Sequence, residues 1–492
     1  MLLLGIDVGT SSIKVSVVDA ETQSCLASAQ HPETESAIIS THPGWAEQSP
    51  DTWWKDVQQA ILKAHATNKY DPSQIGAIGI AYQMHGLVMV DKDKESIRNS
   101  IIWCDSRAVE TGDKAFHAIG EKKCLSHLLN SPGNFTASKL AWVKANEPQH
   151  YNKIHKVMLP GDFIAMKLTG KVNTSVSALS EGVFWDFQSE ELSKDVFKHF
   201  NFEEQLIPDI EPVFANHGAL SRTAANALSL TEGIPVTYKA GDQPNNALSL
   251  NVMEPGEVAA TAGTSGVIYG VTEKLFFDLQ SRVNSFAHVN YESGKKRLGV
   301  LLCINGTGIM NSWMRNTFAP GTSYKVIDEQ AKKIEAGSNG LIVLPFGNGA
   351  ERMLGNKIVG AHFHNIDLNL HTQAHVFRAV QEGIAFAFRY GLDIMRENGM
   401  SPKVIRAGRA NLFLSDVFIE AFVNATNTPL ELYESDGSVG AAIGAGMGAG
   451  VFNNGKEAFR KMKPLKIVQP NEASLYDSLY QKWNNALALH LD

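Results

Sequence analysis

Cysteine is scarce in this chain: four in 492 residues, at Cys25, Cys104, Cys124 and Cys303, far apart and never as Cys-x-x-Cys. That spacing argues against a thiolate metal site or a disulfide framework and points to a reducing, cytoplasmic setting. Basic excess is missing as well. Lys and Arg number 44 against 51 Asp and Glu, a formal net charge of -7, whereas a nucleic-acid surface normally carries a basic face. Long apolar runs are also lacking. The opening Met-Leu-Leu-Leu-Gly-Ile stops at Asp7 without a basic flank, so it reads as neither secretory signal nor anchor. The most nearly uncharged later stretch, Gly437 to Gly450, is glycine-rich and too short to span a membrane. Neither a nucleic-acid nor a membrane partner is expected, and no block of like charge marks a disordered tail.

What remains is a globular α/β pattern too long for one core, which predicts two or three domains. Leu-Leu-Leu-Gly-Ile-Asp, then Val-Gly-Thr-Ser-Ser, then an alternating run to Ala20 read as strand, turn and strand. A helix is predicted after Ser49-Pro50-Asp51, with Trp54, Val57, Ile61 and Ala64 at helical spacing, so Trp54 is expected in the core. Ile75 to Ala81 reads as a buried strand. The second half repeats this grammar. Val258 to Gly270 is strand, Gly-Thr-Ser-Gly turn and strand; a helical stripe runs from Phe377 to Leu392; then come a strand at Lys403–Gly408 and a helix capped by Ser415. Two halves that each open on a small-residue hairpin suggest an internal duplication with a mixed sheet in each half. The boundary is placed near Leu250, giving domains 1–250 and 251–492.

The hairpin turns carry the first chemistry. Gly9, Thr10, Ser11 and Ser12 form a tight turn whose backbone N–H groups can cup an anion, with Lys14 as a further charge. Asp7 beside such a turn is unfavourable for phosphate unless Mg²⁺ lies between them, so it reads as a ligand to the metal or to its water. The alternative is an ordinary hairpin with a capping Asp. A second turn, Gly263-Thr264-Ser265-Gly266, at the equivalent place in the other half suggests a clamp on one polyphosphate in a cleft between lobes. Neither turn has P-loop or Rossmann context.

Gln83, Met84 and His85 follow a buried strand, where α/β sheets place ligands. They suit a hydroxyl-rich ligand, although a lone His beside an apolar strand is more often a satisfied core residue. Trp103, Asp105 and Arg107 are a second candidate wall or a surface ion pair. Asp242 follows a strand at a Gly–Asp step, either as a general base or as a turn-stabilising residue. Asn245 and Asn246 either cap the following helix or touch substrate. His362, His364, His371 and His375 span a loop and turn without zinc-helix spacing, which disfavours a metal site among them. Ser438 to Gly450 reads as a helix packed closely on a sheet, its start at Asp436-Gly437 able to face an anion.

In combination and in order, Asp-Val-Gly-Thr-Ser-Ser-Ile-Lys (7–14), Gln-Met-His-Gly (83–86), Gly-Asp-Gln-Pro-Asn-Asn-Ala (241–247), Ala-Gly-Thr-Ser-Gly-Val (262–267) and the late Asp-Gly-Ser-Val-Gly-Ala-Ala-Ile-Gly-Ala-Gly (436–446) resemble the landmarks of the FGGY carbohydrate kinases. The resemblance implies two ribonuclease-H-like domains of the actin-like ATPase fold closing over ATP and Mg²⁺. It implies Asp242 as catalytic base, Asp7 as partner of Mg²⁺ through water, and Gln83, Met84, His85, Trp103, Asp105 and Asn246 toward the sugar. Thr10, Ser11, Lys14, Gly263, Thr264, Gly408 and Asn411 fall to the nucleotide. Gly44 to Gln48, Thr52 to Trp54 and the Gln-Met-His-Gly motif are most similar to members that phosphorylate the ketopentose D-xylulose. Another ketose, a polyol, a sugar acid, or an ATPase switch with a protein partner are the alternatives. One departure stands out: Ala407-Gly408-Arg409-Ala410-Asn411 occupies the place where the family usually has a glycine triplet. A homodimer is allowed by the sequence and not required by it.

Overall fold

The computed structural model describes residues 1–491. In the first half β1 (Leu2–Val8), β2 (Ile13–Asp19) and β3 (Cys25–His31) form an antiparallel meander, followed by α1 (Pro50–His65) and β4 (Ile75–Tyr82). After a long excursion that includes the short helix α2 (Val176–Glu181), β5 (Val236–Gly241) completes the sheet and runs into α3 (Asp242–Ser249). The strand order is β5-β4-β1-β2-β3, with β1, β4 and β5 parallel.

In the second half β6 (Glu257–Ala262), β7 (Gly266–Thr272), β8 (Asn284–Ala287) and β9 (Leu298–Ile304) are followed by a hairpin of β10 (Ile342–Phe346) and β11 (Gly360–His364). Then come α4 (Gln373–Glu397), β12 (Val404–Gly408), α5 (Asp416–Thr426), β13 (Leu430–Tyr433), α6 (Gly437–Gly448), β14 (Lys466–Val468) and α7 (Ala473–Ala488). The second sheet is ordered β8-β9-β7-β6-β12-β13-β14. Its inner five strands repeat the first sheet in order and direction: two antiparallel neighbours on one side of the founding strand, two parallel ones on the other.

Strand β1 is apolar on both faces because helices cover both. Leu2, Leu4, Ile6 and Val8 pack toward α1, while Leu3 belongs to the cluster that contains Ala441, Ala442, Ile443 and Ala445 of α6. The α6 contact is close because it is glycine against backbone. A Cβ on Gly5 would lie 1.8 Å from the Ser438 carbonyl oxygen, and one on Gly79 2.0 Å from that of Ala441. Helix α6 thus comes from late in the chain yet lies on the first sheet. In α1, Ser49 caps as expected, but the buried face is Trp53, Val57, Ala60, Ile61 and Ala64, with Trp54 only half-buried. The stripe was expected one residue out of phase at its start; the 3.6-residue repeat fits Trp53 as the first member. Ser415 caps α5 as expected. Among the described residues no helix is long and apolar enough to cross a membrane.

Candidate active site

The first turn closes with the Gly9 N–H donating to Ser12 O at 3.2 Å, and Ser11 is exposed at its tip. The Thr10 hydroxyl is not free. It donates to Gln83 Oε1 (3.0 Å) and accepts from Trp103 Nε1 (2.9 Å). Gln83 Nε2 continues to Gln48 Oε1 (3.1 Å), which also accepts from Trp53 Nε1 (3.0 Å), while Gln48 Nε2 donates to Thr10 O (2.8 Å). This chain of side chains joins the first turn to the end of β4. Gln83 is thereby fully buried and engaged within the protein, whereas the Trp103 ring stays 53% exposed.

Asp7 ends β1 beside the start of α6: a Cβ on Gly437 would meet Asp7 Oδ2 at 2.3 Å. Burial and then the Asp436 charge push its carboxyl up to about 6, with Lys14 offsetting only part of this. Lys14 is instead bonded to Asp436, the N-cap of α6, which accepts from Ser438 N at 2.9 Å. Desolvation and coulombic repulsion both disfavour the Asp7 anion, and a cation would relieve the repulsion. That donor set, carboxylate oxygen next to a small-residue turn, fits Mg²⁺ held through water.

Asp242 is the first residue of α3, with Gly241 as N-cap, so Asn245 and Asn246 lie inside the helix rather than capping it. Asn245 is buried and donates from Nδ2 to Gly437 O at 2.9 Å, tying α3 to α6. Asn246 is half-buried. The Asp242 carboxyl is pushed up to about 7, mainly by burial and then by Asp7; the N–H of Gln243 pulls the other way, as helix starts do for anions. Beneath it lies Glu181, at the end of α2 and fully buried. Its carboxyl abuts Gly241, where a Cβ would come within 2.5 Å of Oε1. Burial, with the charges of Asp242 and Asp162, raises Glu181 well above the usual carboxylate range. No motif marks Glu181 in the sequence.

His85 has φ +61, unusual for a residue with a side chain. Its carbonyl accepts from the buried Lys139 Nζ (2.8 Å), and its Nδ1 donates to Glu181 O (3.1 Å). That bond fixes the tautomer and leaves Nε2 as an acceptor. Burial and Lys139 hold the ring neutral, its pKa lowered to about 3. Met84 is buried against Gly241. Asp105 lies fully buried with both oxygens taken, by Arg107 (Nη2 to Oδ2, 2.7 Å) and by the Ala46 N–H. Arg107 in turn lies 3.8 Å over the Trp45 ring and bonds Glu47 at 2.7 Å. This pair is therefore a buried brace behind Trp103, not a surface ion pair.

At the second turn Thr264 is exposed and Gly263 half-buried. A loop that sequence reading passed over, Asn305-Gly306-Thr307-Gly308, supports it. Gly308 N donates to Gly263 O (2.9 Å), Ile309 N to Thr264 O (3.0 Å) and Thr307 Oγ1 to both carbonyls. Its Gly-Thr-Gly core is the available signal. Asn411 lies against this turn, its Nδ2 3.5 Å from where a Gly263 Cβ would stand, and has φ +52. Gly408 ends β12. Arg409 is exposed, and its backbone N–H donates to Tyr433 O at 2.8 Å.

Comparison with known proteins follows the same division. The model of the N-terminal domain of the FGGY family of carbohydrate kinases matches residues 2–249, and that of the C-terminal domain residues 258–449. The xylulose kinase of Bacillus subtilis (strain 168) is 27% identical over 98% of this chain and 96% of its own length. That of Escherichia coli (strain K12) is 26% identical over 94% and 92%. Among solved structures, the xylulose kinase from Rhodospirillum rubrum superposes with a TM-score of 0.88 at 24% identity, covering 99% of each chain. The Plasmodium falciparum glycerol kinase with ADP gives 0.89 at 20% identity, covering 100% of this chain and 98% of that one. The fold is accordingly the pair of ribonuclease-H-like domains of the actin-like ATPases. Near-equal scores for kinases named for a ketose and for a polyol mean that the backbone alone does not choose the substrate.

Proposed function

The chain belongs to the FGGY family of carbohydrate kinases, and from that premise we propose that it transfers the γ-phosphoryl group of ATP to the terminal hydroxyl of D-xylulose, giving D-xylulose 5-phosphate. The observation that carries the reading is Asp242 at the start of α3, its proton affinity raised to about 7 by burial and by the Asp7 charge. A carboxylate so placed accepts the hydroxyl proton as that oxygen bonds to the γ-phosphorus and the bond to the ADP bridging oxygen breaks. His85 accepts a sugar hydroxyl at Nε2, Met84 and the exposed Trp103 ring offer apolar surface to the carbon chain, and Asn246 faces the same substrate. The backbone of Thr10, Ser11, Gly263 and Thr264 cups the phosphates, with Lys14 near them and Gly408 and Asn411 toward the nucleoside. Mg²⁺, when bound, neutralises charge on the β- and γ-phosphate oxygens, and Asp7 is the residue that would hold it through water. The preference for a ketopentose is supported by the names of the curated relatives.

The test is ADP release from ATP and Mg²⁺ with a panel of ketoses, polyols and sugar acids. D-Xylulose is expected to show the highest kcat/KM. Preference for a polyol or sugar acid would keep the kinase and replace the substrate. ATP turnover that no sugar stimulates would favour a conformational ATPase switch and defeat the reading.

A further inference from the structure

We propose that His362, His364 and His490 form a binding site for a divalent transition-metal ion of the zinc class, which fastens the C-terminal helix to the β10–β11 hairpin. His362 and His364 are two apart on β11, so they share one face of the strand. His490 follows the end of α7 and meets them there. One ring nitrogen of each lies within 4.8 Å of the other two. His364 Nε2 and His490 Nε2 stand 3.3 Å apart, about the separation of two imidazole nitrogens that each bind one tetrahedral cation at roughly 2.0–2.1 Å. The rings of His362 and His490 stack with centroids 3.8 Å apart.

The surroundings of the cluster suit ligation. His362 Nε2–H donates to Val359 O at 2.8 Å, which leaves the lone pair on Nδ1 and is the outer bond that orients ligating histidines. Three imidazoles without a carboxylate suit Zn²⁺, Co²⁺ or Ni²⁺ and not Mg²⁺ or Ca²⁺. A cavity of about 670 Å³ lined by His364, Trp483 and Leu489 opens beside His364. Lys357, between the two hairpin strands, already bonds the Leu491 carbonyl, so the end of the chain lies along the hairpin before any ion binds. The run His362, His364, His371 and His375 lacks zinc-helix spacing, the third ligand comes from His490, 126 residues beyond His364, and the two other histidines of the run are engaged elsewhere. His375 completes a capping box with Thr372, and the His371 ring bonds Asp367 N at 2.9 Å.

The experiment uses the untagged full chain, stripped with a chelator and titrated with Co²⁺. One equivalent is expected to bind saturably with the visible absorption of a tetrahedral Co²⁺ site, and Zn²⁺ should displace it. Zn²⁺ in excess over Kd should raise Tm by roughly 2–5 °C. His364→Ala or His490→Ala should abolish both effects, and His371→Ala should leave both intact. Absence of saturable Co²⁺ binding, or binding that survives both substitutions, would overturn the site. Stoichiometric binding with no change in Tm would overturn the fastening role. Kinase activity enters none of these readouts.

Discussion

Asp242 is held where its charge is disfavoured, and that sets how the enzyme responds to substitution and to pH. On the proposed mechanism Asp242→Asn removes the proton acceptor and keeps the shape, so kcat should fall by about 10²–10⁴ with ATP affinity little changed; steady-state kinetics and a nucleotide titration separate the two. The acid form does not accept a proton. Because its pKa is raised to about 7, kcat/KM should rise with pH up to that region and fall about tenfold per unit below it. Asp7 contributes to the raised value, so saturating Mg²⁺ at Asp7 should remove repulsion and move the acid limb to lower pH. A pH profile at low and high Mg²⁺ checks this, and an unmoved limb would separate Asp7 from the metal. Glu181 sits below, where burial raises its carboxyl and favours the protonated form. Glu181→Gln should therefore be tolerated, whereas Glu181→Ala opens a hole against Gly241, the residue before Asp242, and should lower kcat. His85→Ala should raise KM for sugar while sparing ATP.

At the level of elements, the interface of α6 with β1 and β4 is the tightest constraint on the site, because it sets where the Asp436 cap stands relative to Asp7. Gly79→Ala places a Cβ 2.0 Å from the Ala441 carbonyl oxygen. Backbone cannot give way as a flexible side chain can, so overpacking should cost about 1–3 kcal/mol, read as a lowered urea midpoint, and ATP binding should weaken with it. Much of this layer was legible in the sequence. Small-residue runs, alternating strands and the two Gly-Thr-Ser turns are local signals, and α6, β1, β4, β6 and β7 stand where those signals put them. Residues whose meaning depends on distant partners were not legible in the same way. Trp53 rather than Trp54 faces inward because Gln48 and the sheet lie on that side. Asp105 reads as half of a local pair with Arg107, but its complete burial depends on Ala46, 59 positions away. Glu181 acquires its surroundings only when α2 meets β5, and Thr307 only when its loop reaches the second turn.

For the whole molecule, the family's two sequence domains and the two packed lobes are not the same division. Helix α6, from the second domain, covers one face of the first sheet: Leu3, Ala77, Ala81, Tyr238 and Ala240 pack in one cluster with Ala441, Ala442, Ile443 and Ala445. Cut at residue 250, the first domain would expose that face, including the fully buried Tyr238 and the backbone against Gly5 and Gly79. Exposing a contiguous apolar sheet face loses its hydrophobic stabilisation and invites aggregation. Fragment 1–250 should accordingly show no cooperative urea transition by circular dichroism, while the full chain unfolds with its first sheet and α6 together. A fragment that also carries residues 436–450, joined by a flexible linker, should regain cooperativity in part. Cooperative unfolding of 1–250 alone would mean that the first lobe is self-sufficient. The α6 contact would then be a hinge surface that opens and closes with ATP rather than part of a shared core.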